Sequence, residues 1–501
     1  MSGAQALSAS PERTPVLAGI GVATQREDDP AQALDPIGLM LQAARRAGQD
    51  AAPDLLRRIE RVAVPHGRWS FTDPARAIAG ALGALGARTV LARIGVLQQT
   101  LIADACLAIE RGEADIVLVI GGDTGHRMLR SRITGHEPAS PWPPQVAPDQ
   151  MLEAEDELIH AAEIRAGIRM PVGLYAIIEN AFRAHRGVSV PVHRDHIAAL
   201  YSRFSTIAAG NPAAWNRRSI DAETIRCVSE RNPMQAFPYT KLLCTSWNVD
   251  QAAALLFCSV ATARAAGVPG DRFVYPWAST ESNAMVPVCA RRDLYACPGA
   301  AIAGRAALQP FGLSVADLDL IELYSCFPIA VQAYAAELGI SLDRELTVTG
   351  GMAFAGGPFN NYVLQSTARM AELLRDRHAQ GRPGHGLVSS VSGVLTKQGF
   401  GLWSTRPPPG GFRFADLTGD VAKACVRLPV AMDYEGAGVI AGYSVLHDAA
   451  QPTGIVVANV DGGRRVVATS DDPLLVSRME QEEFCGVPIR VDQERFSMVR
   501  S

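Results

Sequence analysis

The sequence has little of what marks several large classes of protein. Its nine cysteines are scattered without CxxC spacing, which argues against a disulfide framework or a zinc site, so no metal is expected. No run approaches the roughly twenty apolar residues of a membrane helix, and the chain does not open on a basic stretch followed by an apolar run. The formal net charge of −4 argues against a nucleic-acid-binding surface. We therefore expect a cytoplasmic protein with a small-molecule ligand.

What is present is a regular alternation of apolar and amphipathic segments. The 501 residues are enough for about three structural units. From Pro15 onward the chain reads VLAGIGVA, LMLQAARRAG, RIERVAVP, RAIAGALGALG, LQQTLIADACLAIERG and ADIVLVIGGD. This order predicts βαβ units and a mainly parallel sheet buried on both faces. The helix beginning near Leu97 has apolar residues at helical spacing and is expected to be buried.

A similar order of segments returns after Arg272. The segments are FVYPWAS, GAAIAGRAALQPFG, LDLIELYS, FPIAVQAYAAELG, LQSTARMAELLRDR, HGLVSSVSG and FGLWST. Since a helix, a glycine turn and an apolar strand recur in both halves, we infer a duplicated α/β architecture. The intervening residues 124–240 are richer in Pro, His, Arg and polar turns, which predicts a long insertion over the sheet and a candidate lid.

The run STRPPPGGFRF predicts a linker and a boundary near Pro409, because proline and glycine interrupt regular structure. Beyond it, KACVRLPVAM, AGVIAGYSVLH, TGIVVANV and RRVVATS are short and β-branched, which indicates a small five-stranded barrel of the oligonucleotide/oligosaccharide-binding (OB) type. The predicted domains are a flexible N-terminus (1–13), a first half (14–123 with 241–270), the insertion (124–240), a second half (271–406) and an additional β domain (410–501). The last domain lacks an aromatic stacking series for nucleic acid.

Several segments in this order resemble the thiolase superfamily over residues from about 14 to 406. ACLAIERGEADIVLVIGGD resembles the helix and strand that follow the thiolase nucleophile. TSWNVDQAAALLFCSVATARAAGVP resembles the DGAAA helix, IENAFRAHRGVSVPVHRDHIAALYSRFSTIAAGNP the loop-domain helices, and ELYSCFP the EVHDCF or EINEAF motif. With the C-terminal extension, the chain resembles in particular the thiolase-like protein type 1 group of the sterol-carrier-protein branch.

The resemblance implies a five-layer αβαβα fold that holds a coenzyme A thioester as substrate or ligand, with no permanently bound cofactor. It implies an acyltransferase of lipid metabolism of the acetyl-CoA acetyltransferase type. It also implies a homodimer through the strand edge beside the nucleophile helix, unless the added domain covers that edge or serves a partner enzyme.

The three catalytic elements of thiolases are absent at the matching positions. The nucleophilic cysteine position falls on Gly95, the histidine of the GHP motif on Gly357, and the cysteine of the CxG motif near Ser390. A serine without an activating base cannot take over the proton shuttle of a thiol, whose pKa is far lower. We therefore expect that the cysteine-dependent acyl-enzyme route is lost, and Cys106, three turns along the helix, is interpreted as a structural thiol.

The candidate catalytic residues are Tyr324 and Cys326, which follow the strand LDLIEL at the edge where open α/β sheets bind ligands. By resemblance to thiolase-like aldolases of steroid side-chain breakdown, Tyr324 would be the acid/base of a retro-aldol cleavage, with Tyr362 a second. The candidate substrate-binding residues are Gly356, Gly357, Asn360, Asn361, Tyr362, Ser390 and Ser392, and the pair Gly350 and Gly351 belongs to the same loop.

Arginines of the insertion are the candidates for the phosphates of coenzyme A. They are Arg127, Arg130, Arg132, Arg217 and Arg218, whereas His185, His193 and His196 receive no role. Three hypotheses stay open: an acetyl-CoA acetyltransferase-like enzyme, a tyrosine-dependent retro-aldol lyase acting on a β-hydroxyacyl-CoA, and a non-catalytic module that binds or carries acyl-CoA.

Overall fold

The computed structural model describes residues 10–138, 141–143, 146–155, 157–447 and 451–499. Most of the predicted flexible N-terminus lies outside the described residues, and Pro11–Arg13 form a short 3-10 turn. Among the helices of these ranges, none is both long enough and apolar enough to cross a membrane.

The first part of the chain alternates strands and helices as the apolar pattern predicted. Its elements are β1 (Pro15–Gln25), α1 (Pro36–Asp50), β2 (Arg61–Pro65), α2 (Pro74–Leu82), β3 (Arg88–Ala92), α3 (Gln98–Glu110), β4 (Ile116–Thr124), α4 (Gly125–Thr134), β5 (Gln150–Leu152) and α5 (Ala161–Arg165). Asp35 and Asp73 begin α1 and α2, because each carboxylate accepts a hydrogen bond from the backbone NH three residues on, and a proline follows each cap.

The insertion and the return to the first sheet follow. They contain α6 (Pro171–His185), α7 (Val190–Gly210), α8 (Ala222–Arg226), β6 (Met234–Ala236), β7 (Tyr239–Thr240), β8 (Asp250–Ser259) and α9 (Val260–Ala265). The DQAAALLFCS stretch, likened above to a helix, is strand β8, so that comparison was wrong. All ten of its residues are buried, and it pairs antiparallel with β1 on one side and β4 on the other. The first sheet has the order β1-β8-β4-β2-β3-β5.

The second half repeats the arrangement. It contains β9 (Tyr275–Ser282), α10 (Pro298–Leu308), β10 (Leu320–Glu322), α11 (Pro328–Leu338), α12 (Tyr362–Ala379), β11 (His385–Ser392) and β12 (Lys397–Ser404). Helices α3 and α12 each pack on strands of both sheets, whereas α1 lies on the outer face of the first sheet and α10 on that of the second. The chain therefore has the five-layer αβαβα thiolase-like architecture that was predicted.

The C-terminal segment contains β13 (Arg413–Asp416), α13 (Thr418–Ala424), β14 (Glu435–Leu446), β15 (Thr453–Val460), β16 (Arg464–Ser470), α14 (Pro473–Met479), β17 (Pro488–Asp492) and β18 (Arg495–Met498). Strands β15-β16-β18-β17-β14 close into a five-stranded barrel through the pairing of β14 with β15, so the predicted small barrel is confirmed. The KACVRLPVAM stretch is not a strand of it. Its first residues belong to α13, and β13 before it joins the second sheet beside β9.

The barrel is attached to the insertion. Leu446 of β14 pairs with Ala236 of β6, and the insertion helix α6 packs against β14. The guanidinium of Arg183 on α6 is buried and bonds both carboxylate oxygens of Glu483 at 2.7 and 2.9 Å. The C-terminal segment therefore holds α6 in place through packing and this ion pair.

The outer edge of β3 is covered within the chain. Strand β5 pairs in parallel with it, with Val90 opposite Gln150 and Ala92 opposite Leu152. The covering segment therefore comes from the insertion, and the C-terminal barrel, considered above as a cover for this edge, contacts α6 and β6 instead.

Candidate active site

Tyr324 and Cys326 lie in the loop between β10 and α11. The backbone NH of Tyr324 donates to the Ser389 hydroxyl on the neighbouring strand β11 at 2.8 Å, which fixes the loop to the sheet edge. The ring of Tyr324 meets that of Tyr362 edge to face, with centroids 5.7 Å apart and an interplanar angle of 89°. The structure thus brings together the two tyrosines that the sequence singled out.

Behind these rings lies a buried carboxylate that sequence reasoning missed. Glu322, the last residue of β10, is 0% exposed and accepts a hydrogen bond from the Tyr362 hydroxyl at 2.6 Å. It also accepts bonds from the backbone NH groups of Val348 and Thr349, at 2.7 and 3.0 Å. Burial raises the pKa of Glu322 above its ordinary value, and the bond from Tyr362 opposes that rise.

The hydroxyls of the loop before the glycine pairs complete this network. Thr347 and Thr349 donate to Glu322 and accept hydrogen bonds from the amides of Gly350 and Gly351 at 3.0 to 3.1 Å. These two amides therefore bind protein oxygens rather than facing the candidate site.

The position expected for a nucleophilic cysteine has no room for one. Gly95 has φ +101°, a backbone conformation that non-glycine residues rarely adopt, and a Cβ atom there would lie 2.7 Å from that of Ala154. The buried Lys397 ammonium donates to the Gly95 carbonyl at 3.2 Å.

The histidine position is closed in a similar way. A Cβ atom on Gly357 would lie 2.3 Å from the Thr245 methyl and 3.0 Å from the Met352 side chain. Gly356 has φ +101°, and a Cβ there would meet Gln251 at 2.2 Å. The loop packs too closely for a side chain at either position.

The remaining predicted binding residues contact other parts of the protein. Asn360 accepts a hydrogen bond from Gln98 at the start of α3, at 2.9 Å, while Asn361 is buried against Gly121 of β4. Ser390 is buried, and Ser392 lies at the end of β11 opposite Lys397.

Comparison with known proteins agrees with this architecture. Over 97% of its length the chain is similar to a monomeric SCP2-thiolase-like protein type 1 from Mycobacterium smegmatis, with a TM-score of 0.83, 29% sequence identity and 99% of that chain covered. The chain has a thiolase-like fold and is similar to this SCP2-thiolase-like protein over nearly its whole length.

Other relatives are more distant. An Ltp2-ChsH2(DUF35) aldolase has a TM-score of 0.59 at 18% identity, with 78% of this chain and 98% of that one covered. The dimeric peroxisomal thiolase of Saccharomyces cerevisiae has a TM-score of 0.55 at 16% identity, with 79% and 98% covered. At these identities the likeness concerns the fold alone.

In sequence, an acetyl-CoA acetyltransferase of Methanothermobacter thermautotrophicus is 27% identical over 195 residues, which are 39% of this chain. The match spans less than half, 46%, of that enzyme. No protein-family model matches the chain.

Burial makes the thiols near this site hard to ionise. Burial raises the pKa of Cys326 to about 12, and a hydrogen bond with Tyr175 only partly offsets that rise. Burial and the neighbouring Cys326 raise the pKa of Tyr324. Cys106 is buried in α3, where desolvation raises its pKa as well. At neutral pH all three groups are protonated, so Tyr324 is a hydrogen-bond donor.

Tyr175 of the insertion helix α6 is a further site residue that the sequence did not reveal. Its hydroxyl donates to the Gly393 carbonyl at 3.3 Å, and its ring packs on Phe327 with centroids 4.6 Å apart. Nothing in its local sequence, GLYAIIEN, distinguishes it from an ordinary core tyrosine.

The candidate phosphate-binding arginines have separate surroundings. Arg127 and Arg130 donate to the carbonyls of Pro30 and Asp28, at 3.2 and 3.0 Å, and so hold the loop after β1. Arg132, Arg217 and Arg218 are exposed.

Of the three histidines, His185 stacks on Tyr295, His196 is exposed, and His193 binds the buried Glu179 at 2.7 Å. Within the described ranges, no three histidine, cysteine or carboxylate side chains gather as metal ligands would.

Proposed function

We propose that this protein binds the thioester of an acyl-CoA beside Tyr324 and does not carry out cysteine-dependent thiolysis. The observation that carries the proposal is the close packing around the backbone at Gly95 and Gly357. Both positions are packed so closely that neither a cysteine nor a histidine side chain fits without moving the loop. We also propose a role in lipid metabolism, which rests on the similarity to an SCP2-thiolase-like protein.

In this proposal Tyr324 donates a hydrogen bond to the thioester oxygen. Its raised pKa keeps the hydroxyl protonated, which suits donation to an oxygen that gains negative charge during reaction. Cys326, in the same loop, is a neutral thiol. Acyl transfer through Cys326 would require a thiolate that its surroundings disfavour.

Calorimetric titration with acetyl-CoA, followed by a thiolysis assay with acetoacetyl-CoA and CoA, tests this. We expect binding without thiolysis, and unchanged binding after Cys326→Ser. Tyr324→Phe should weaken binding about tenfold through the lost hydrogen bond, whereas the matched variant Tyr334→Phe should leave it unchanged. Turnover that disappears with Cys326→Ser would contradict the proposal, as would the absence of any binding.

A second candidate function is retro-aldol cleavage of a β-hydroxyacyl-CoA. The hydrogen bond from Tyr362 to Glu322 supports it. Through this 2.6 Å bond, a proton from a substrate hydroxyl can pass by way of the Tyr362 hydroxyl to the carboxylate. The β-hydroxyl would lose its proton as the Cα–Cβ bond breaks. The products would be a carbonyl compound and an acyl-CoA enolate held by Tyr324. The enolate then takes a proton at Cα from water, and Glu322 returns the proton of the substrate hydroxyl to solvent.

The lyase reaction has its own test. Release of a ketone or aldehyde from a β-hydroxyacyl-CoA should fall at least about a hundredfold in Tyr362→Phe and in Glu322→Gln, with little change in KM. Activity that survives both substitutions would exclude the proton path. If neither wild type nor variants turn over any acyl-CoA, the non-catalytic carrier is the function that stands.

We further propose that the protein is a monomer rather than the homodimer expected from the family. Two observations support this: the pairing of β5 with the outer edge of β3, and the similarity to a protein described as monomeric. The barrel, proposed to be OB-like, would then be the surface for a partner enzyme. Sedimentation equilibrium measures the mass, and a value near twice 53.3 kDa would contradict the monomer.

A further inference from the structure

A polar cleft lies apart from the loop of Tyr324 and Cys326. It has a volume of about 320 Å³ and is bounded by β1, by Arg46 of α1, by the segment after α7 and by one face of α12. Because it lies between both halves and the insertion, it has the position where small-molecule pockets commonly form. Neither Tyr324 nor Cys326 lines it, but the Tyr362 side chain forms part of its wall.

Polar groups in this wall lack protein partners. Gln365 is 8% exposed, and its amide makes no hydrogen bond to any residue that the structure describes. The Arg369 Nε and the Gln251 Oε1 are buried and likewise without a partner in the described part of the chain. Since an unsatisfied buried polar group costs about 1–3 kcal/mol, the Arg369 and Gln251 atoms lining one cleft indicate a place built to receive polar ligand atoms.

The charges of the cleft select the ligand. Arg46 and Arg369 are its two cations, and Glu372 is its one anion, bonded to an Arg369 NH group at 2.5 Å. The net charge of +1 suits a single negative charge, and the guanidinium group of Arg369 retains its unpartnered Nε for a carboxylate oxygen. A second negative charge would face Glu372.

The neutral groups deeper in the cleft complete the pattern. The Asn211 and Thr24 side chains are bonded to backbone carbonyls at 2.9 and 3.0 Å and hold the walls in place. The Gln365 amide lies one helical turn from Arg369 on the same face of α12, so the two side chains line one wall.

We propose that this cleft binds a small organic monocarboxylate that carries a second, neutral polar group such as an amide or a hydroxyl. The carboxylate lies between Arg46 and Arg369, and the neutral group bonds the Gln365 amide. The site is independent of acyl-CoA binding, because its residues other than Tyr362 and Thr349 lie outside the candidate active site.

Three compounds with one carbon skeleton test the proposal by calorimetry on the full chain. Glutaramate carries one charge, glutaramide none and glutarate two. We expect saturable binding of glutaramate, at least about tenfold weaker binding of glutaramide because the charge-assisted bond is lost, and weaker binding of glutarate because of Glu372. Equal affinity for all three compounds, or no binding of glutaramate, would overturn the proposal.

Variants locate the binding. Arg369→Gln and Gln365→Leu should each weaken glutaramate binding about tenfold or more, while the exposed Arg382→Gln, just beyond α12, should not. Circular dichroism and thermal unfolding report whether each variant is folded, and Arg46→Gln replaces any that is not. Binding that Arg369→Gln and Arg46→Gln leave unchanged would refute the site.

Competition separates this site from the proposed acyl-CoA site. Saturating acetyl-CoA should leave glutaramate affinity within a factor of about three. Complete displacement would show that the cleft is part of the acyl-CoA site and would overturn its independence. If acetyl-CoA does not bind at all, the proposed function fails, but the glutaramate titration still decides this inference.

Discussion

The hydrogen bond between Tyr362 and Glu322 provides a quantitative test of the buried network. Tyr362 is 1% exposed and Glu322 0%, and the bond between them is 2.6 Å long. Removing the hydroxyl in Tyr362→Phe leaves the carboxyl group with four other donors, from Val348, Thr349 and Thr347. Because a bond to a charged group contributes about 1.5–3 kcal/mol, we expect the free energy of unfolding to fall by about 2 kcal/mol.

The matched control is Tyr334→Phe. Tyr334 is also fully buried, but its hydroxyl donates to a neutral carbonyl, that of Ser390, at 3.3 Å. Its loss should cost about 0.5–1.5 kcal/mol. Urea unfolding followed by tryptophan fluorescence, with the transition of the αβαβα body fitted separately from that of the barrel, measures both variants.

The pH dependence of the stability tests whether the pKa of Glu322 is raised in the folded protein. Burial raises the pKa of Glu322 above its ordinary 4.5, so the native state holds this proton more tightly than the unfolded chain. The resulting stabilisation is present below pH 4.5 and is lost as the pH rises through the raised pKa, whereas Glu322→Gln has no such dependence. Wild type should therefore lose stability relative to Glu322→Gln as the pH increases.

Over the same range the cost of Tyr362→Phe should grow, because the bond strengthens as Glu322 ionises. A cost equal to that of Tyr334→Phe at every pH would refute the assignment of Glu322 as the acceptor. So would a wild type that gains stability relative to Glu322→Gln from pH 4.5 upward.

Three further outcomes follow from the structure. Arg183→Met removes both bonds to the half-exposed Glu483 and should lower the stability by about 1–3 kcal/mol, measured by urea unfolding. Under native conditions iodoacetamide should label the exposed Cys227 within minutes and leave Cys326 unlabelled, as peptide mass spectrometry would report; rapid labelling of Cys326 would contradict its raised pKa. Gly95→Ala should cost about 1–3 kcal/mol because of its positive φ and the nearby Ala154, measured as a lower Tm.

The sequence predicted the architecture best where strand and helix patterns differ clearly. The runs around β4 and α3 have lengths and glycine turns that separate the two, and both were placed correctly. The stretch from Asp250 to Ser259 was compared with a helix because a continuous apolar run suits a buried helix as well as a strand buried on both faces. Only its pairing with two neighbouring strands decides between them.

The part of the candidate site that lies in one loop, directly after β10, was predictable from the sequence. Tyr324 and Cys326 were placed by the rule that ligands bind where strands end. The other features depend on contacts between residues that are far apart in the sequence; Tyr175 and Gly393, for example, are more than two hundred positions apart. These features are Glu322, Tyr175 and the cleft beside α12. Such contacts leave no local signal in a single sequence, so these features required the structure.

The pairing of β14 with β6 has a consequence for how the chain is made. Phe237 and Ala236 of the insertion bond to Val445 and pair with Leu446, which leave the ribosome about 200 residues later. At synthesis rates of about 5–20 residues per second, β14 is made about 10–40 s after β6. During that interval β6 can pair with β7 but its other edge is open, so chaperone engagement should concentrate on this segment until the barrel emerges.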